Sequence, residues 1–201
     1  MRELARAFRD VPILRRTVLL AAGTALTMGM HTAVLIFMLR ENQLAASVYG
    51  MSMSATAAGY MLATLTIRRW MDGRELRVMT LCIADFCATI LLQGVWSMSD
   101  SNIALLPLLA IWMASGYCFG GKMMCYIVLM QTHSPKDRVG LVMASSQSLM
   151  LLILQISPLI GVAITEFYSA GLTYFIAAML GLVVMGWVYL GPEKFRIQMM
   201  S

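Results

Sequence analysis

The chain has 201 residues, of which 60% are hydrophobic and only 12% charged, and its mean hydropathy is +0.76. Soluble domains carry about 25% charged residues, so this composition excludes a water-soluble enzyme or a solvated interaction module as the main body. The net charge of +5 falls at the ends of apolar runs rather than along one stripe, which argues against nucleic-acid binding and for determinants of membrane topology.

An all-α fold of six transmembrane helices is expected, because each crossing of about 30 Å of hydrocarbon needs roughly 20 apolar residues. Residues 1–16 form a basic cytoplasmic segment with Arg2, Arg6, Arg9, Arg15 and Arg16. The expected spans are 17–39, 46–67, 76–97, 103–130, 139–165 and 169–190, and 191–201 form a cytoplasmic tail. The first run is too long for a signal-peptide core and is read as an anchor.

That first span carries Thr24, Thr27 and His31 on one face. A histidine there either titrates near neutral pH or makes a satisfied helix–helix contact. On the second span Ser52, Thr56, Gly59 and Ala63 recur at helical spacing, as close helix packing requires. The third carries Cys82, Asp85, Thr89 and Gln93 at steps of three, four and four, which points them to one side.

The fourth span is longer than one bilayer needs and should tilt or project beyond it. Pro107 lies in its first turn, where a missing N–H is tolerated. Ser115, Cys118, Lys122 and Cys125 share a face, and Gly116, Gly120 and Gly121 are expected to loosen the helix. The fifth carries Gln147, Ser148, Gln155 and Ser157, and Pro158 should kink it. Trp70, Trp96, Tyr168 and Tyr189 fall near span ends, as an aromatic belt places them. The four cysteines form no C-x-x-C, so neither a disulfide framework nor a metal site is expected.

Lysine and arginine alternate along the connections. Arg68, Arg69, Arg74 and Arg77 flank the second, Lys136 and Arg138 the fourth, and Lys194 and Arg196 lie in the tail. The opposite side has only Arg40. Cytoplasmic loops retain positive charge, so both termini are expected in the cytoplasm of a bacterial inner-membrane protein.

Two ionisable groups lie deep inside spans, where a charge costs at least about 2.5–3.5 kcal/mol. Asp85 and Lys122 fall at roughly 13.5 and 12 Å from the inner face at the helical rise. Consecutive helices are usually neighbours, so an ion pair between them is geometrically open. Such a pair either pins two helices together or belongs to an ion-coupled site.

The order of these features resembles the major facilitator superfamily. The stretch from Gln131 to Gly140 follows a glycine-rich helix and precedes one containing Pro158 and Gly161. It is similar to the loop between the tenth and eleventh helices of drug- and siderophore-efflux members, with Pro135 and Gly140 matching and Arg138 one place early. The second connection resembles the family's loop signature at Gly73 and Arg74, with Asp72 displaced.

This resemblance implies a half-length fold of two inverted three-helix repeats, matching the C-terminal half of a twelve-helix transporter. It implies a lipid bilayer and a small-molecule substrate, with a homodimer or a separate first-half chain completing the pathway. It favours Lys122, His31, Gln147 and Gln155 as substrate or coupling residues over Asp85, since spans one, two, four and five line the family's cavity. The expected activity is secondary active export by alternating access, without a cofactor. The alternative is a non-transporting scaffold or remnant. An enzyme is not expected, because no H-E-x-x-H or G-x-S-x-G occurs and only His31 and His133 are present.

Overall fold

The computed structural model describes residues 11–98 and 104–190. The basic residues Arg2, Arg6, Arg9, Lys194 and Arg196, the connection at 99–103 and the side chain of Tyr189 lie outside the described residues. Six long helices fall on the six apolar runs: α1 (Pro12–Glu41), α2 (Ser47–Thr66), α4 (Glu75–Met98), α5 (Leu105–His133), α6 (Val139–Phe167) and α7 (Ala170–Leu190). A single turn, α3 (Arg68–Met71), occupies the basic connection that the sequence reads as a loop.

The helix ends follow local chemistry. Pro12 opens α1, where its fixed φ suits a first turn. Pro135 follows the C-cap Ser134 and stops α5. Gly73, at φ +70, turns the chain from α3 into α4, and its N–H donates to the Glu75 carboxylate at 3.2 Å. The N-terminus of α7 is held from a distance: the Glu41 carboxylate at the end of α1 accepts from the Ala170 N–H at 3.1 Å. A carboxylate at a helix N-terminus satisfies a free donor and opposes the helix dipole.

The packing divides the bundle into two three-helix repeats, α1–α2–α4 and α5–α6–α7. α1 lies against α6 and α7 just as α5 lies against α2 and α4, while α4 and α7 pack on each other. Matched contacts recur at equivalent places. Gly29 of α1 abuts Ser157 of α6, and Gly116 of α5 abuts Thr56 of α2. Ser157 Oγ donates to the Ala25 carbonyl, and Thr56 Oγ1 to the Trp112 carbonyl, both at 3.5 Å. α1 runs parallel to α6 and α2 parallel to α5. α7 runs antiparallel to both α1 and α4, and α5 antiparallel to α4, so the second repeat is inverted relative to the first.

Glycine works differently from the expected loosening. A Cβ on Gly59 or Gly116 would run into backbone of the facing helix, so these glycines bring α2 and α5 together. This tight seam also explains their composition. Among the described residues, α1, α4, α6 and Ala170–Val188 of α7 are long and apolar enough to cross a membrane, at mean hydropathies of 1.6, 1.8, 2.1 and 1.9. α2 and α5, expected to be spans, fall below that apolarity. Ser52, Ser54, Thr56, Gly59 and Tyr60 lower α2, while Gly116, Gly120, Gly121 and Lys122 lower α5.

The helix carrying Pro158 is continuous from Val139 to Phe167. Proline has no N–H for the Leu154 carbonyl four residues earlier. The Ser157 hydroxyl lies 3.4 Å from that oxygen and substitutes in part.

Candidate functional site

Four helices bring their polar side chains to one point in the half of the bundle where α1 ends. His31 of α1 is fully buried, and its Nε2 lies 2.9 Å from Oε1 of Gln93 on α4. With Oε1 turned to the ring, the tautomer that pairs with it carries its proton on Nε2 and its lone pair on Nδ1. The imidazole stacks on Trp112 of α5 with centroids 4.3 Å apart and planes 19° apart. Tyr174 of α7 lies 5.3 Å away, and Phe86 of α4 meets the ring edge-on at 6.1 Å.

This cluster is under-bonded. Among the described residues, Nδ1 of His31, Nε2 of Gln93, Nε1 of Trp112 and the Tyr174 hydroxyl lack hydrogen-bond partners. Native interiors leave few such atoms, so one on the ring and three around it set this cluster apart as the candidate site. Sequence reasoning found His31 and placed Gln93 on a polar stripe, but missed Trp112 and Tyr174. Their aromatic character reads as core until their positions against His31 are known.

Lys122 lies deeper, 2% exposed. Its ammonium sits 4.4 Å over the Phe119 ring and 3.5 Å from the Met123 sulfur. The ion pair with Asp85 that neighbouring helices make available is not formed. Asp85 is exposed on the outer side of α4, beside Leu81, Leu92 and Val95. Thr24 and Thr27, read as part of a polar stripe, return their hydroxyls to Leu20 and Gly23 of their own helix at 2.7 and 3.0 Å.

Gln147 and Gln155 lie on the exposed face of α6 with Ser148, Leu151, Leu152 and Leu159. They are not brought together with His31 and Lys122, which face inward. At the basic end, Arg138 pairs with its neighbour Asp137 at 3.0 Å, both exposed, and its N–H donates to the Pro135 carbonyl at 2.9 Å. Asp72, Arg74 and Gly140 are exposed there too. A cleft of about 430 Å³ at the opposite end is lined by Leu39, Arg40, Leu44 and Tyr49 and contains none of the expected site residues.

Among the described residues the bundle is all-helical, two inverted three-helix repeats with polar groups buried on its inner helices. The family model of the Major Facilitator Superfamily matches residues 17–198. The chain belongs to the Major Facilitator Superfamily. It is accordingly a multi-pass membrane protein of a transporter family, consistent with a partial bundle of that fold. No curated protein and no solved structure matches it.

Proposed function

We propose that this chain forms one half of a secondary active transporter that exports small organic molecules by alternating access. The other half comes from a second copy or from a complementary six-helix partner. The observation that carries this reading is the uncovered polar strip on α6. In the apolar stretch of α1 61% of residues are buried, but in that of α6 only 22% are. Ser148 returns its hydroxyl to the Ala144 carbonyl at 2.9 Å, but Gln147 and Gln155 on that open face have no reason to face hydrocarbon, where unpaired polar groups are costly. A facing half converts the strip into one wall of a substrate path, with Lys122 and His31 behind it as coupling residues.

In this reading α2 and α5 cross the bilayer despite their lower apolarity, since each is at least as long as a crossing needs. The basic end, with Arg68, Arg74 and Lys136, faces the cytoplasm of a bacterial inner membrane, as do both termini. Asp85 has no coupling role, because it lies on the outer side of α4.

Purified protein in liposomes should move an organic substrate in response to a proton gradient, and cysteines at Gln147 and Gln155 should crosslink to the other half. Absence of flux with any partner, together with crosslinks to nothing but lipid, would establish a non-transporting scaffold instead.

A further inference from the structure

The cluster around His31 has the chemistry of a proton site. We propose that His31 Nδ1 is the proton-binding atom of this chain, and that uptake of the proton is linked to separation of the bundle at the end where α1 finishes. This deepens the transporter reading and names its coupling residue.

With the Gln93 Oε1 accepting from Nε2–H at 2.9 Å, Nδ1 is left as an unpaired base. The ring's setting is built to hold a cation briefly rather than to neutralise it. Trp112 presents its face in a near-parallel stack, Tyr174 lies at 5.3 Å and Phe86 at 6.1 Å. Indole and phenol faces attract an imidazolium through their quadrupoles without supplying a permanent counter-ion. No described carboxylate touches the ring.

The charged and titratable groups of each packed helix can be placed. On α1 itself Arg15 and Arg16 lie at the end away from the ring, and Arg40 and Glu41 are exposed where the helix finishes. On α4 Glu75 and Arg77 lie in the first turn, far from the ring, Asp85 faces outward, and Cys82 and Cys87 are buried. On α5 Cys118 lies beyond Trp112, and Lys122 one turn further. α7 contributes Tyr174 alone to the ring, and on α6, which lies along α1, Glu166 is exposed near the helix end.

The route follows from the same contacts. Glu41 is exposed and holds the first N–H of α7, and Tyr174 stands one turn further into that helix. Parting α7 from α1 breaks the Glu41 bond and lets water reach Tyr174 and then Nδ1. The proton comes from a hydronium ion on that side: a bond forms at Nδ1, leaving one water and an imidazolium. Release is the reverse transfer: the Nδ1–H bond breaks, a water leaves as hydronium, and the neutral ring is enclosed again. A proton bound in one arrangement and not the other biases their populations by its differential affinity.

The test reads the stack directly. In the full chain carrying Trp70→Phe, Trp96→Phe and Trp187→Phe, the remaining indole is Trp112, and a stacked imidazolium quenches indole emission. Emission should fall by roughly half in a single one-proton step as the pH is lowered between about 9 and 4. His31→Gln should abolish the step, and His133→Gln should leave it in place. If His31→Gln does not fold, ¹⁵N-histidine spectra of the His133→Gln protein follow the intact ring. They should show the Nε2–H tautomer at high pH and a doubly protonated ring at low pH.

A flat emission profile, a step that survives His31→Gln, or an Nδ1–H tautomer would each overturn the proposal. None of these readouts requires transport. A titrating His31 in a protein that moves nothing would therefore count against the transporter reading alone. In liposomes His31→Gln should lose gradient-driven accumulation by at least about tenfold while retaining downhill exchange.

Discussion

Gln43 sits at a φ of 55° just past the end of α1, where the Leu44 N–H closes back onto the Leu39 carbonyl at 2.9 Å. That closure needs a left-handed residue, and a non-glycine side chain is strained there. Gln43→Gly should therefore raise stability by about 0.5–1 kcal/mol, read as a higher thermal midpoint in detergent. At Gly116 the sign reverses. A methyl group would meet the Thr56 backbone of α2, which cannot yield as a side chain tip would. Gly116→Ala should cost about 1–3 kcal/mol. Gly50→Ala, where a Cβ meets nothing within 4 Å, should change stability by less than about 1 kcal/mol in either direction. The sequence shows that α2 and α5 carry small residues. It does not show which backbone each glycine meets, because that depends on the register between helices far apart in the chain.

At the scale of one helix, α6 shows how a local rule is met by an unexpected partner. Pro158 predicts an unsatisfied carbonyl and a kink, and Ser157 sits beside that carbonyl while also reaching α1. Ser157→Ala should cost about 0.5–1.5 kcal/mol in the native background, and measurably less in Pro158→Ala, where the helix regains its own N–H. Equal costs in both backgrounds would mean that Ser157 acts only through Ala25. The polar stripe of α4 shows where periodicity runs out. At about 100° per residue Asp85 stands about 80° round the helix from Gln93. A stripe that wide has an inside edge and an outside edge: Gln93 turns in to His31 and Asp85 turns out. The six long helices were legible because the lengths of the apolar runs decide them locally, while their ends depend on caps and turns, as where α1 begins at Pro12. The His31 cluster was only half legible, since Trp112 and Tyr174 come from the other repeat.

For the whole molecule, the decisive question is whether α2 and α5 cross the membrane, since they are less apolar than the other four long helices. The packing makes them a pair: they run in the same direction, joined along Gly59, Gly116 and Gly120. α5 also runs antiparallel to α4, the helix before it in the chain, with Gly121 against Cys82 and Phe119 against Phe86. If the pair stayed out of the lipid, α1 and α6 would lose the equivalent of their own parallel contact on the other side of the pseudo-two-fold. The Arg40 end and the Arg68–Arg74 turn would then share a compartment, against the retention of positive charge on one side. With both helices crossing, the end of α4 at Met98 and residues near 136 lie at opposite ends of the bundle. A phosphatase fused after Asp100 should therefore be active, because it is exported, while a fluorescent protein fused after Lys136 should fold in the cytoplasm. Inserting Arg pairs after Asp100 should weaken the first signal, because short-loop charge sets orientation. Both fusions reporting from one compartment would remove the α2–α5 crossing, and with it the exposed α6 face as the wall of a transport path.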